Sequence, residues 1–266
     1  MAEPLPIFRR TLADSWRSLL GWTAGVVAAL CLYLPLFPSV GGNGQMQDII
    51  ESMPPELVNT LGFAQVATGP GYTQSTFFGL IGFLLLTIAA TSWGSSAIAG
   101  AEESGRLELA LAHAVGRTQY ALESALAILV RLLWLGAVTA VLVIGLNEPA
   151  ELDIEPAHVL AEVAAFVGIT LLSGACALAV GALTGRRSFA TAAGAGLAVL
   201  GYVLNAVANQ SEDLDGLRAV SPYGWAYGQT PLADGADWLG LALLWGFSAV
   251  FVAVAALALR RRDITG

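Results

Sequence analysis

The 266-residue chain contains no lysine: all 12 of its basic residues are arginines. Without a lysine there can be no P-loop of the usual kind, so this chain is not by itself a conventional P-loop ATPase. Lysine Schiff-base chemistry is excluded for the same reason. Charge of either sign is scarce. Charged residues make up 12% of the chain, against about 25% in a soluble domain, too few to cover a water-facing surface. The net charge is −8, which disfavours nucleic acid as a partner, because neutralising phosphates takes a basic patch. Cysteine is nearly absent. Cys31 and Cys176 both lie in apolar runs and read as small packing residues. No cluster of metal ligands is visible, and no serine or cysteine stands with a histidine and a carboxylate in a catalytic pattern. The chain reads as non-enzymatic, with no cofactor of its own.

What the sequence has in abundance is apolar surface. Hydrophobic residues are 56% of the chain and the mean hydropathy is +0.69, which excludes disorder. Six runs, at 19–37, 75–98, 124–146, 159–183, 189–208 and 238–259, are each about 20 residues, the length that crosses about 30 Å of hydrocarbon as a helix. The fold class is therefore all-α: a polytopic membrane protein of six transmembrane helices in one domain, 1–266. No cleavage site follows the first run, which reads as an uncleaved helix.

Orientation follows from arginine, which collects in cytoplasmic loops. Arg9, Arg10 and Arg17 precede the first run, Arg106 and Arg117 follow the second, Arg186 and Arg187 follow the fourth, and Arg260, Arg261 and Arg262 follow the last. Both termini are thus expected in the cytoplasm. Split this way, the inner side carries 11 arginines against seven acids, and the outer side one arginine, Arg218, against 13 acids. The protein is polarised across the lipid bilayer in which its apolar runs embed it. Trp16, Trp22 and Trp238 fall at span ends, where aromatic anchors are expected. Gly174, Ala175, Ala177, Gly181, Gly194 and Gly196 would let helices approach closely. His113 and His158 fall on opposite sides and cannot share a metal.

Two charges interrupt the runs. Arg131 lies about seven residues into the third, roughly 10 Å along a helix. It can snorkel to the inner interface, pair with another helix, or contact a substrate. Glu162 opens the fourth run near the outer surface, four residues after His158; the i,i+4 pair reads as a solvated helix start, with a pH-sensing or proton-coupled role as the alternative. The outer Tyr223, Trp225 and Tyr227 alternate with small residues and fit either interfacial aromatics or an exit gate.

The segment 101–117 is the most informative. Leu107, Ala110, Leu111 and Ala114 recur on one helical face, with Glu103, Arg106, Glu108 and Arg117 mostly elsewhere. A short amphipathic helix along the membrane surface is expected, ended by Gly116. Its run AGAEESGRLELALAHAVGRTQY resembles the coupling segment of permease subunits of ABC-type exporters, the ABC type-2 family, where G-E-E-x-x-G-T-L-E-L-L-L-A-x-P-V-x-R is common. Glu102, Glu103, Gly105, Leu107, Glu108, Leu109, Leu111, Ala112, Val115 and Arg117 match, while Arg106 and Ala114 stand where Thr and Pro are usual. Met53–Gly62 resembles the family's short external helix, Ser221–Leu232 its outer segment before the last span, and Arg260–Ile264 its basic end.

The resemblance implies an ATP-driven exporter. In such a machine a separate cytosolic P-loop ATPase carries ATP and Mg, and a second permease chain, identical or related, completes the pathway in the cell (inner) membrane. It assigns Glu102, Glu103, Gly105, Arg106, Leu107, Glu108, Leu111 and Arg117 to the contact with the ATPase, and a hydrophobic or amphipathic compound as substrate. Two rivals are an ion-coupled secondary transporter, disfavoured by the few buried carboxylates and by the absence of paired interrupted helices, and a membrane scaffold that transports nothing.

Overall fold

The computed structural model describes residues 5–40, 67–112, 116–210 and 212–262. Among these residues there are helices and turns and no strand. In chain order the main helices are α1 (Pro6–Tyr33, continued to Ser39), α2 (Gly69–Ala97), α3 (Ala99–Glu103), α4 (Arg106–Ala112), α5 (Arg117–Asn147), α6 (Pro156–Thr184), α7 (Arg187–Ala208), α8 (Pro222–Tyr227) and α9 (Trp238–Arg261). Six of them, α1, α2, α5, α6, α7 and α9, are long and apolar enough to cross a membrane.

These helices overrun the apolar runs, mostly at the arginine-rich end. α1 starts at Pro6 rather than 19, and α5 at Arg117 rather than 124. The 31 residues of α5 make about 46 Å of helix, against about 30 Å of hydrocarbon. An apolar run marks the immersed length, whereas helix continues wherever its first turn is satisfied. For α1 that comes from Pro6 at the first position and from a carboxylate of another helix, described below. At the other face α2 opens on Thr68, whose side chain accepts from the Gly71 amide at 3.2 Å. Its π-helical stretch Gln74–Ile81 widens the turn just inside that end.

α6 is the central helix. Within its most apolar window 83% of residues are buried, against 17–22% in α1, α7 and α9. It packs on α9, α7, α2 and α5. Small residues allow the closest crossings. A Cβ on Gly94 of α2 would lie 2.2 Å from the Gly174 carbonyl oxygen of α6, and one on Gly194 of α7 would lie 2.7 Å from that of Ser173. Gly196 has nothing within 4 Å of such a Cβ, so of Gly194 and Gly196 only Gly194 meets α6. Cys176 is buried as expected; Cys31 is exposed, because it falls on the outward side of α1, opposite Val26, Ala29 and Leu30.

At the acid-rich face, Asn147 closes the α5–α6 turn by donating to the Ile154 carbonyl at 2.9 Å and accepting from its amide at 3.0 Å. α8 and a further turn, Pro231–Asp234, form short helices on this face before α9. Met53–Gly62 lies outside the described residues.

Candidate functional site

Segment 101–117 is two short helices rather than one. α3 continues the line of α2 past a break at Ile98. Gly105 then turns the chain with φ +68°, a conformation natural to glycine, and α4 follows. Leu107 is fully buried, and Ala110 and Leu111 pack against the core, which is the face expected from periodicity. Arg106, Glu108 and Leu109 point outward, with Leu109 65% exposed. His113, Ala114 and Val115 lie outside the described residues. Gly116, expected to end the amphipathic helix, is instead the N-cap of α5, with extended backbone. The strong start signal belongs to the longer helix.

The charged residues of this segment divide into two sets. Glu102, Glu103 and Arg117 bond to the body of the protein, Glu103 from an exposed position. Glu102 is ion-paired with Arg262 at the end of α9. Arg262 also donates to the Ala182 carbonyl near the C-terminal end of α6 at 2.7 Å, and its own carbonyl accepts from Arg117 at 2.7 Å. Glu103 accepts from the Arg187 amide at 2.7 Å and so caps α7, whose own N-cap residue Arg186 offers no side-chain bond. A carboxylate there also meets the positive end of the helix dipole. Arg106 and Glu108 form the outward set; Arg106 donates to Ser104 at 2.9 Å.

Glu123 of α5 repeats the capping device. It is 2% exposed and accepts from the Ile7 and Phe8 amides of α1 at 2.8 and 2.9 Å, as well as from Gln119. It therefore has no part in neutralising Arg131. The roles of Arg262, Arg187 and Glu123 are not apparent from spacing. The signal that was available is negative: α1 and α7 begin at Leu5 and Arg186, neither of which caps with its side chain.

Arg131 does not snorkel, and it does not pair with a carboxylate among the described residues. It is 4% exposed, its Nε donates to the Ala127 carbonyl at 2.9 Å, and its guanidinium lies 4.7 Å from the centre of the Trp93 ring. The cation–π face and the backbone acceptor hold it in place. The side chain does not run out to the interface because the aromatic platform of α2 stands beside it.

Glu162 is a second correction. It is fully buried, and neither carboxylate oxygen has a hydrogen-bond partner among the described residues. The helix is covered here by α8 and the Pro231–Asp234 turn, which pack on α6, so being near a helix start does not make it solvated. His158 pairs with Glu155 at 3.5 Å and faces the Leu232 carbonyl rather than Glu162.

Of the outer aromatics, Tyr223 and Tyr227 come together and Trp225 does not join them. Tyr223 and Tyr227 ring centres are 4.8 Å apart, and Tyr223 also meets Phe83 and Tyr202 edge-on. Trp225 stacks on Phe247 of α9 and donates to the Ala219 carbonyl. Burial holds the Tyr223 and Tyr227 phenols above their ordinary range, and Glu162 adds to both shifts, so they remain neutral. Tyr223 donates to the Gly79 carbonyl at 2.9 Å, within the π-helical stretch of α2. Tyr223→Phe leaves that carbonyl short of a donor. The expected cost is about 1 kcal/mol, read as a melting midpoint lower by about 2–4 °C for a chain of this size.

A family model described as ABC-2 family transporter protein matches residues 5–264, nearly the whole chain. A search of curated proteins gives no match.

Proposed function

The chain belongs to the ABC-2 transporter family as a multi-pass permease subunit, and we propose that it exports a hydrophobic or amphipathic compound from the cytoplasm. The arginine-rich face is cytoplasmic in this reading, and the membrane is the inner cell membrane. A separate cytosolic P-loop ATPase binds α4 and carries the ATP and Mg, while this chain contributes no cofactor and no hydrolytic chemistry. Two permease chains, identical or related, enclose the pathway.

The observation that carries the reading is the division of labour around α4. Leu107 and Leu111 fasten it to the bundle, and Glu108, Arg106 and Leu109 are exposed, the last two also lining a cavity beside α1 and α5. An exposed leucine between two opposite charges suits a cleft on a partner, the leucine supplying apolar burial and the charges register. Glu102, Glu103 and Arg117 lie behind it. Their bonds to α9 and α7 transmit a push on α4 to the ends of two spanning helices.

The test is co-purification. Tagged wild-type chain isolated from its host membrane should bring down a P-loop ATPase. Glu108→Arg combined with Leu109→Glu should reduce the recovered ATPase at least tenfold, with the permease yield unchanged. Wild-type protein that never recovers an ATPase would sink the reading.

A further inference from the structure

A cavity of about 910 Å³ opens at the arginine-rich face between α1, α2, α4 and α5. Along α5 its lining runs from Gln119 to Arg131, 12 residues, or about 18 Å of depth. That size falls within the range of drug-sized ligand sites. Arg10 and Asp14 stand at the mouth as an exposed pair 3.6 Å apart. Deeper, the wall carries Ser96, Ser124, Ala97 and Trp93, and Arg131 stands at the far end.

Arg131 is the one arginine in this lining that is buried. Its Nε is used by the Ala127 carbonyl and one face of its guanidinium by Trp93. Its two terminal nitrogens find no acceptor among the described residues, and no carboxylate there neutralises it. The buried carboxylate nearest to it along α5, Glu123, is about 12 Å down the helix and is occupied with the α1 amides. A cation at this depth faces either water or an anion in the cavity, and an anion gains a direct charge-assisted contact with donors that no protein group uses. Guanidinium is suited to that role, because its remaining edge donates two parallel hydrogen bonds to a carboxylate, phosphate or sulfonate.

We propose that this cavity is a loading site for a drug-sized amphipathic anion, with the acidic group on Arg131 and the apolar part against Trp93 and Ala97. The inference rests on the permease reading and narrows its substrate class from hydrophobic compounds in general to singly acidic ones. The same chemistry is offered by a water-borne organic acid and by the headgroup of an acidic phospholipid.

The experiment measures equilibrium binding to the full chain alone in lipid nanodiscs, with dansyl-phenylalanine as the acidic probe and its carboxamide as the neutral twin. In phosphatidylcholine discs wild type should bind the acid at least tenfold tighter than the amide. Arg131→Gln should remove that preference while leaving amide affinity within twofold, and Arg131→Lys should keep part of it. Thr11→Glu, which sets a negative charge on the cavity wall without touching Arg131, should reduce the preference severalfold. A second arm uses discs containing phosphatidylglycerol, with Arg131→Gln as reference for surface charge. A preference that shrinks there identifies the phospholipid as a competing occupant, and one that persists identifies a water-borne acid; both support the site. Equal affinity for acid and amide in wild type overturns it, as does a preference that survives Arg131→Gln. Because no ATPase is present, an absent preference would leave the permease reading standing, and a failed co-purification would leave the site standing.

Discussion

Gly94→Leu is expected to abolish recovery of folded protein. A Cβ at that position would lie 2.2 Å from the Gly174 carbonyl oxygen and 3.1 Å from the Ala177 Cβ, so even the first carbon of the new side chain cannot fit. The obstacle is backbone on the central helix and has no rotamer to yield. α2 would have to move away from α6, and with it the crossing of α7 on α6, where Gly194 meets Ser173 and Ala177. Overpacking in a yielding core costs about 1–3 kcal/mol; against backbone on the most buried helix the cost should exceed that range. Total stability of a domain is only about 5–15 kcal/mol. In lipid, apolar contact by itself gives little drive for helix association, which relies on close packing, so a lost crossing is not replaced by a looser greasy one. The measurement is the monodisperse fraction in size-exclusion chromatography of a fluorescent fusion. Gly196→Leu is the matched control: nothing stands within 4 Å of its Cβ, and it should elute like wild type. A monodisperse Gly94→Leu protein would show that the α2–α6 crossing is not a structural requirement.

The two glycines also show how much the sequence could say. Small residues on the fourth and fifth spans were a visible packing signal, but Gly194 and Gly196 look alike in a linear reading. Which one faces α6 depends on the rotation of α7, and that is set by packing over the whole helix. The six spans and the buried face of α4 were legible because both follow from periodicity and immersed length, each a local property. Glu162 was misjudged because its burial depends on α8 and the Pro231–Asp234 turn, more than 50 residues away in sequence. The choice among the three readings of Arg131 could not be made in sequence, because Trp93, which holds it, lies on another helix. The outward and inward charges of 101–117 could not be separated either. They lie within one short segment, and the partners of Glu102 and Glu103, Arg262 and Arg187, come from the ends of two later spans.

That separation makes a second large effect predictable: Glu102→Ala should leave the ATPase bound and disconnect it. The Glu102–Arg262 pair is roughly four-fifths buried on each side. Removing the carboxylate strands the guanidinium between the Ala182 carbonyl and the base of α3, at a cost of about 1.5–3 kcal/mol, the range for a hydrogen bond to a charged group. Nothing is removed from the outward face of α4, so ATPase recovery should remain within twofold of wild type. What changes is the connection from α3 to the end of α9. In a Cys31→Ser, Cys176→Ser background, a spin label at Leu200→Cys, which is 61% exposed on α7, would report the distance between two copies, if the proposed pair is of identical chains, with and without trapped nucleotide. Wild type should show a nucleotide-driven shift, and Glu102→Ala should lose most of it. Glu103→Ala should weaken the shift in the same direction, because Glu103 holds the start of α7 itself. Glu108→Arg with Leu109→Glu should abolish it by the other route, losing the ATPase altogether. If Glu102→Ala instead loses the ATPase while the isolated permease stays intact, Glu102 belongs to the docking face. The tether to α9 would then have to run through Arg117 and the Arg262 carbonyl alone.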